Sequence, residues 1–440
     1  MTNRHILQIT NHGVHEWQVT PGMPDTGGQN VYVNQFTDAL IEQGYRVTIV
    51  NRGGYPHPVT GAMQSGVVDH PSGRARILYI EDGTPAFVRK EDMDEHVPLL
   101  AADLQRKLAD EDNDYDLVIS HYWDAAKIAI ALQELAQSDV PHIWVPHSLG
   151  ALKKRNVDPA HWAELRIDER IAHERAMLEH VDGAVATSSA IRDSFVDDYG
   201  HRPAYFLPPC VDPGRYHPRS VDECAATWDF LASLSPLAAD ELRSRKIVVE
   251  ISRTDRTKRK DVLIRAFAQV RASHPEALLA VALDERAGAA YEEAMALIDE
   301  MGLERDVIAL GSVWEQLPCL YAVAAVYCTP SVMEGFGMSA QEAAATRVPT
   351  VASDFVPFAV EYLLGSKPER QGGLLVGDAA VVVPADDVDG FARALTMLLG
   401  DDERRRRMGQ RALDITIPYF TWAHRTRDLL DELGLGTDAG

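Results

Sequence analysis

Four stretches of the chain concentrate residue types that handle phosphates and sugar hydroxyls. In PDTGGQNVYV, Gly27 and Gly28 permit close approach of backbone, and N–H groups near a helix start favour anions. A glycine pair alone reads first as an ordinary turn, and neither GxGxxG nor a Walker loop is present. In PSVMEGFGMSAQEAAATRVPTVAS, Glu334 and Glu342 are separated by seven residues, with Gly335, Phe336 and Gly337 after the first acid. A helix starting near Met338 puts Glu342 in its opening turns. Two carboxylates there accept hydrogen bonds from sugar and ribose hydroxyls, while loop N–H groups meet phosphate; a capping acid and a solvated acid are the plainer alternative. In ISRTDRTKRKDVLIRAF, Arg253 and Lys258 suit diphosphate oxygens, although charge runs also make solvated faces. In HIWVPHSLGALKKRN, His147 ends a strand, as a ligand contact or as a structural hydrogen bond. Lys153, Arg170 in DERIAHER and Lys90 in AFVRKEDMDEH stand open between surface charge and phosphate binding.

These residues need rigid elements to position them. Short apolar runs alternate with amphipathic stretches, the pattern of α/β proteins with parallel sheets. HILQIT, RVTIV, ARILYI, DLVIS, HIWVP and GAVAT read as strands of a first series. KIVVEIS, ALLAVAL, DVIALG, AVYCTPS, TVASD and AVVVP read as a second. VYVNQFTDALIEQG is a helix closed by Gly44, and residues 219–243 form a helical lead-in to the second series. FLPPCVDPGRYHPRS, rich in proline and without periodicity, joins the two. The expected organisation is a domain over 1–212, a second over 213–418, and a C-terminal helix within 419–436. Ligands of such open sheets bind beyond the carboxyl ends of the strands.

At 440 residues the chain exceeds one comfortable core. Its formal charge of −23 argues against nucleic acid or an anionic membrane as partner, since both reward a basic field. Cys210, Cys224, Cys319 and Cys328 have no zinc-ligand spacing and imply no disulfide framework; Cys319 and Cys328 read as small core residues. MTNRHILQIT runs straight into a strand with no signal-peptide pattern, and no apolar run reaches membrane-spanning length, so a cytoplasmic protein is expected.

Taken in order, PDTGGQNVYV, FVRKEDM, SHYWDA, HSLGALKK, RIAHE, SRTDRTKRKDVLIRAF, MEGFGMSAQEAAA and VVVPADDVDGFARAL resemble the retaining GT-B glycosyltransferases of the family that contains sucrose-phosphate synthase and mannosylfructose-phosphate synthase. The resemblance spans nearly the whole chain. It implies an α/β fold of two Rossmann-like doubly wound domains facing across a cleft, the first binding an acceptor and the second a nucleotide sugar, with the C-terminal helix packing back onto the first. It implies that Gly27 and Gly28 lie against the donor diphosphate and that Gln29 faces the acceptor. Arg253 and Lys258 match the residues that hold the diphosphate. Glu334 matches the residue that meets the transferred sugar, across Gly335, Phe336 and Gly337, and Glu342 the residue that binds the ribose. His147 matches a histidine near the transferred hexose, and Lys90, Lys153 and Arg170 match the grip on the acceptor's 6-phosphate.

The implied reaction is hexosyl transfer from a nucleotide sugar to a sugar phosphate with retained configuration, with no metal or other cofactor. Sucrose-phosphate synthesis from UDP-glucose and fructose 6-phosphate is the first choice. Mannosylfructose-phosphate synthesis from GDP-mannose, or another compatible-solute transfer, is the alternative. A phosphorylated product calls for a separate phosphatase. From other classes, an epimerase, a phosphorylase and a non-catalytic nucleotide-sugar-binding protein stay open; the last would be expected to lose Lys258 or Glu334, and both are present. The chain departs from many relatives where a Gly-Gly-Pro segment is replaced by ASDFVPFAVEYLL, and it carries an extra GSKPERQGGLLVGDA.

Overall fold

The computed structural model describes residues 4–19, 23, 25–109, 114–311 and 313–436. Contacts divide the chain into two units: Met1–Pro208 with Trp422–Gly440, and Pro209–Thr421.

The first unit holds eight strands: β1 (His5–Thr10), β2 (Arg46–Arg52), β3 (Val67–Asp69), β4 (Ala75–Ile80), β5 (Leu117–His121), β6 (His142–Val145), β7 (Gly183–Ala186) and β8 (Tyr205–Phe206). Their order is β3-β4-β2-β1-β5-β6-β7-β8, parallel apart from the β3–β4 pair. Every residue of β1 is buried, as expected of a central parallel strand covered on both faces, which explains the unbroken HILQIT run. Ile6 pairs with Val47 of β2 on one side and Leu117 of β5 on the other. The chain leaves β1 for β2 in one direction and later returns through β5 in the other. Their carboxyl ends therefore flank a switch point, where loops diverge and leave room for a ligand.

The second unit repeats the scheme with β9 (Lys246–Glu250), β10 (Ala277–Ala282), β11 (Val307–Leu310), β12 (Val326–Thr329), β13 (Thr350–Ser353), β14 (Glu369–Gln371), β15 (Leu374–Val376) and β16 (Ala380–Val383). The order β11-β10-β9-β12-β13-β16-β15-β14 puts its switch between β9 and β12. Ile247 and Val249 pack into one apolar cluster and Val248 into another, because successive strand residues face opposite sides of the sheet. The extra GSKPERQGGLLVGDA segment is the antiparallel hairpin β14–β15 on the sheet edge. Gly372 and Gly373 (φ 55° and 90°) supply the two positive-φ residues that a tight hairpin turn demands. Neither that hairpin nor the short strands β3 and β8 shows the apolar run by which the other strands were read.

The C-terminal helix Trp422–Glu432 belongs to the first unit. Trp422 Nε1 donates to Gln35 Oε1 at 3.0 Å, and its ring meets Tyr32 edge-on at 4.7 Å. Cys328 is a buried core residue as expected, but Cys319 is not: it is half-exposed on helix Leu317–Val323, with Sγ 3.8 Å from the Glu223 carbonyl. Among the described residues no helix is long and apolar enough to cross a membrane.

Candidate functional site

In the first unit the glycine pair is a helix start. Gly27 caps the helix Gly28–Glu42, its N–H bound to Asn30 Oδ1 at 2.9 Å. Both glycines are exposed, and a Cβ at either would meet no heavy atom within 4 Å. The first N–H groups of a helix have no intrahelical acceptor and carry partial positive charge. Gln29 lies in the same first turn, where Nε2 donates to Thr10 Oγ1 at the end of β1, 3.0 Å away. Pro24, which opens the PDTGGQNVYV motif, lies outside the described residues.

Lys90, Lys153 and Arg170 come from three separate segments: the short helical turn Lys90–His96, helix Gly150–Asn156 and helix Ile167–Met177. The fold brings them into one electrostatic neighbourhood. Burial is the largest cause lowering the Lys153 pKa, and the positive charges of Arg170 and Lys90 lower it further against the pull of Glu91. Lys90 also loses by burial, but Asp25 reverses the balance and its pKa is raised. Asp25 Oδ1 accepts from Lys90 Nζ and Oδ2 from Lys90 N at 3.2 Å. Glu91 Oε1 lies 3.3 Å from Lys90 Nζ and 3.5 Å from Lys153 Nζ.

Arg170 differs from the two lysines. It is buried, and its guanidinium donates to Glu174 Oε1 (2.7 Å), Tyr122 Oη, Ser148 O (2.6 Å) and Ser148 Oγ (3.0 Å). That leaves one of the five guanidinium N–H groups for a ligand. Glu174, wholly buried, also accepts from Gly150 N at 2.9 Å and from Tyr199 Oη. The pair thus pins the HSLG turn that carries His147.

His147 (φ 55°) sits at the exit of β6, beside the Tyr32 ring at 4.8 Å. Its tautomer follows from a buried chain of donors. Gln8 Nε2 donates to Thr37 Oγ1 (2.7 Å), so Gln8 Oε1 accepts from His121 Nε2–H (2.9 Å). His121 Nδ1 is then an acceptor for His147 Nε2–H at 2.9 Å. His147 keeps an unprotonated Nδ1. Burial first, and then the neighbouring His12, depress its pKa to about 3, so the ring is neutral near neutral pH.

The second unit places Lys258 after β9 and Glu334 after β12, on the two sides of the switch. They meet directly. Lys258 is buried, with Nζ 2.6 Å from Glu334 Oε1 and 3.2 Å from the Met333 carbonyl. Arg253, by contrast, extends into solvent (80 % exposed), with Asp255 Oδ2 at 3.4 Å. Gly337 starts the helix Met338–Ala345 at φ 101°, and a Cβ there would lie 2.7 Å from Val356 Cγ1, so glycine is required. Gly335 is exposed and uncrowded, while Phe336 is buried against Phe358, Tyr362 and Phe420 and anchors the loop.

Glu342 has partners other than those of Glu334. Its Oε2 accepts from Tyr321 Oη at 3.1 Å, and Tyr216 and Arg215 lie beside it. Burial dominates and raises its pKa to about 7. Among the described residues no group of three or more His, Cys, Asp or Glu side chains is gathered to hold a metal ion. Sequence reading missed Glu91, Tyr122, His121, Glu174, Tyr216 and Tyr321. The Glu174 partnership alone had a local signal, its i,i+4 spacing from Arg170.

Residues 239–414 match the model for glycosyl transferases group 1, and residues 26–215 the model for glycosyltransferase family 4. Mannosylfructose-phosphate synthase of Agrobacterium fabrum is 30% identical over 369 residues, 79% of this chain and 76% of that protein. D-inositol 3-phosphate glycosyltransferase of Corynebacterium aurimucosum is 28% identical over 413 residues, 92% of this chain and 90% of that one. The structure of sucrose-phosphate synthase from Thermosynechococcus elongatus superposes with a TM-score of 0.74 at 23% identity, covering 98% of each chain. The chain belongs to the group 1 glycosyltransferases and has their GT-B type of fold.

Proposed function

We propose that the protein transfers a hexose from a nucleotide sugar to a hydroxyl of a sugar phosphate, with retention of anomeric configuration. The observation that carries this reading is the meeting of Lys90 and Lys153 at one point in the first unit, with Arg170, from a third segment, in the same electrostatic neighbourhood. An ammonium pair supported by a buried guanidinium suits a phosphate monoester. The relatives named above all carry a phosphate in the printed name of their product or acceptor.

In this reading the second unit holds the donor. Lys258 and Arg253 take the negative charge that develops on the leaving diphosphate, which makes a metal unnecessary. Lys258 and Glu334 pair at 2.6 Å; when the donor binds, the ammonium turns to phosphate oxygen and the carboxylate to sugar hydroxyls. Glu342 accepts from the ribose. Gly27 and Gly28, uncrowded at a helix start, offer backbone N–H groups to an anion. The C1–O bond to the diphosphate breaks and the acceptor oxygen bonds to C1 on the same face, its proton passing to the leaving phosphate oxygen. His147, neutral with Nδ1 unprotonated, accepts a hydrogen bond from a hexose hydroxyl and moves no proton.

Fructose 6-phosphate is the proposed acceptor. UDP-glucose remains the first donor by the sequence reading, and the 30% identity to mannosylfructose-phosphate synthase favours a mannosyl donor as the second. The deciding experiment incubates the protein with UDP-glucose or GDP-mannose, with and without fructose 6-phosphate, and follows nucleotide release. Acceptor-dependent release is expected; release indifferent to every sugar phosphate rejects the proposal.

A further inference from the structure

Each cation of the first unit's cluster has its own carboxylate: Asp25 on Lys90, Glu91 on Lys153 and Glu174 on Arg170. The set is therefore close to neutral, an unexpected property for a grip on a dianion. The three carboxylates are not equivalent. Glu174 is wholly buried and committed to Gly150 N, Tyr199 and Arg170. Asp25 is tied twice to Lys90, through the ammonium and the backbone N–H. Glu91 bridges: a single oxygen, Oε1, lies 3.3 Å from one ammonium and 3.5 Å from the other. Among the described residues its carboxylate has no further hydrogen-bond or ion-pair partner within reach.

Resting on the acceptor-phosphate reading above, we infer that Glu91 is a resident counter-anion that occupies the place of the acceptor's phosphate and tempers the affinity with which that phosphate is held. The physical case is one of exclusion. A phosphate oxygen bridging Lys90 and Lys153 takes the point where Glu91 Oε1 now sits, and two like charges do not share it. A neutral sugar offers nothing that competes with a carboxylate for two ammonium groups, so it leaves Glu91 in place. A phosphate dianion carries more charge and more acceptor oxygens and displaces it. The displaced side chain has cations to meet: Arg166 Nη1 already lies 3.3 Å from the Glu91 carbonyl, and Arg89 lies within its field. The cost of moving Glu91 is thus part of every phosphate-binding event, and removing its charge removes that cost.

The test titrates inorganic phosphate, and separately fructose 6-phosphate and fructose, into the full chain and the Glu91→Gln variant at fixed ionic strength. Phosphate and fructose 6-phosphate are expected to bind the variant about tenfold more tightly or better, since a unit charge at ~4 Å is worth several RT even at an effective dielectric of ~20. Affinity for fructose and the KM for the donor stay unchanged. Glu91→Asp, which keeps the charge but withdraws the oxygen by one methylene, falls between, and serves also if the glutamine variant folds poorly. Exposed Glu95 supplies the control: Glu95→Gln leaves phosphate affinity within about twofold of the original. Unchanged or weaker phosphate binding in Glu91→Gln, or an equal gain in Glu95→Gln, overturns the inference. If fructose 6-phosphate and phosphate bind none of the proteins while nucleotide still binds, the acceptor-phosphate reading itself fails and takes this inference with it.

Discussion

Glu342 offers the sharpest measurement of the site's electrostatics, because its protonation equilibrium is displaced into the working pH range. The perturbation is Glu342→Gln, which keeps an oxygen for the Tyr321 hydroxyl at 3.1 Å and removes the ionisable proton. Burial is the main cause that lifts the Glu342 pKa from 4.5 to about 7; Tyr321, Tyr216 and Arg215 pull the other way without cancelling it. The folded state therefore holds a proton that the unfolded chain releases between these two values. Stability contributed by the neutral carboxyl is complete below about pH 4.5 and is lost as pH rises through about 7. At ~1.4 kcal/mol per pKa unit the full loss is about 3 kcal/mol, and partial exposure of the side chain reduces this to ~1–2 kcal/mol. The assay is urea unfolding of both proteins from pH 4.5 to 8, followed by a probe in the second unit. The two units need not unfold together, so the difference between variants is the quantity read. The variant is expected to match the original at pH 4.5 and to exceed it by ~1–2 kcal/mol at pH 8. Curves that stay parallel across the range refute the argument that burial raises the Glu342 pKa.

The other expectations concern the remaining residues of the site. Lys153→Ala raises the KM for the phosphorylated acceptor by tenfold or more with little change in the donor KM; equal effects on both, in steady-state kinetics, remove Lys153 from the phosphate grip. Arg170→Gln leaves Glu174 buried without its cation and lowers stability by ~3–5 kcal/mol, read by denaturant unfolding, whereas Lys153→Ala changes it by less than ~1 kcal/mol. Lys258→Ala reduces kcat by roughly 10²–10³-fold, the usual scale for losing one group that stabilises developing negative charge, and nucleotide binding assays separate this from lost affinity. Chelation with EDTA leaves turnover unchanged; loss of activity restored by a divalent cation contradicts catalysis by Lys258 and Arg253 alone.

Much of the scaffold was legible because its signals are local. The central strands are continuous apolar runs, and the Gly27–Gly28 pair and the EGFG stretch lie at helix starts, so the chain announces its α/β alternation one segment at a time. The extra GSKPERQGGLLVGDA segment reads as an insertion from sequence, while its pairing as β14–β15 on the edge of the second sheet depends on a strand that follows it. Cys319 shows the limit from another side: its apolar neighbours suggested core, yet packing leaves it half-exposed next to Glu223.

The amino-acid sequence by itself determined which residue types are available and their order: Gly27 and Gly28 at a helix start, Lys258 after β9, Glu334 after β12, and two lysines, an arginine and a histidine in the first half. Those follow from short-range rules of apolar period, capping and charge. Tertiary structure alone decided how they are partnered. It set Glu91 between Lys90 and Lys153, buried Arg170 on Glu174, joined Lys258 to Glu334, and placed Glu342 beside Tyr321 and Tyr216. The physical reason is that a side chain's charge state and free donors depend on burial and on partners distant in the chain. Spacing along the chain carries neither.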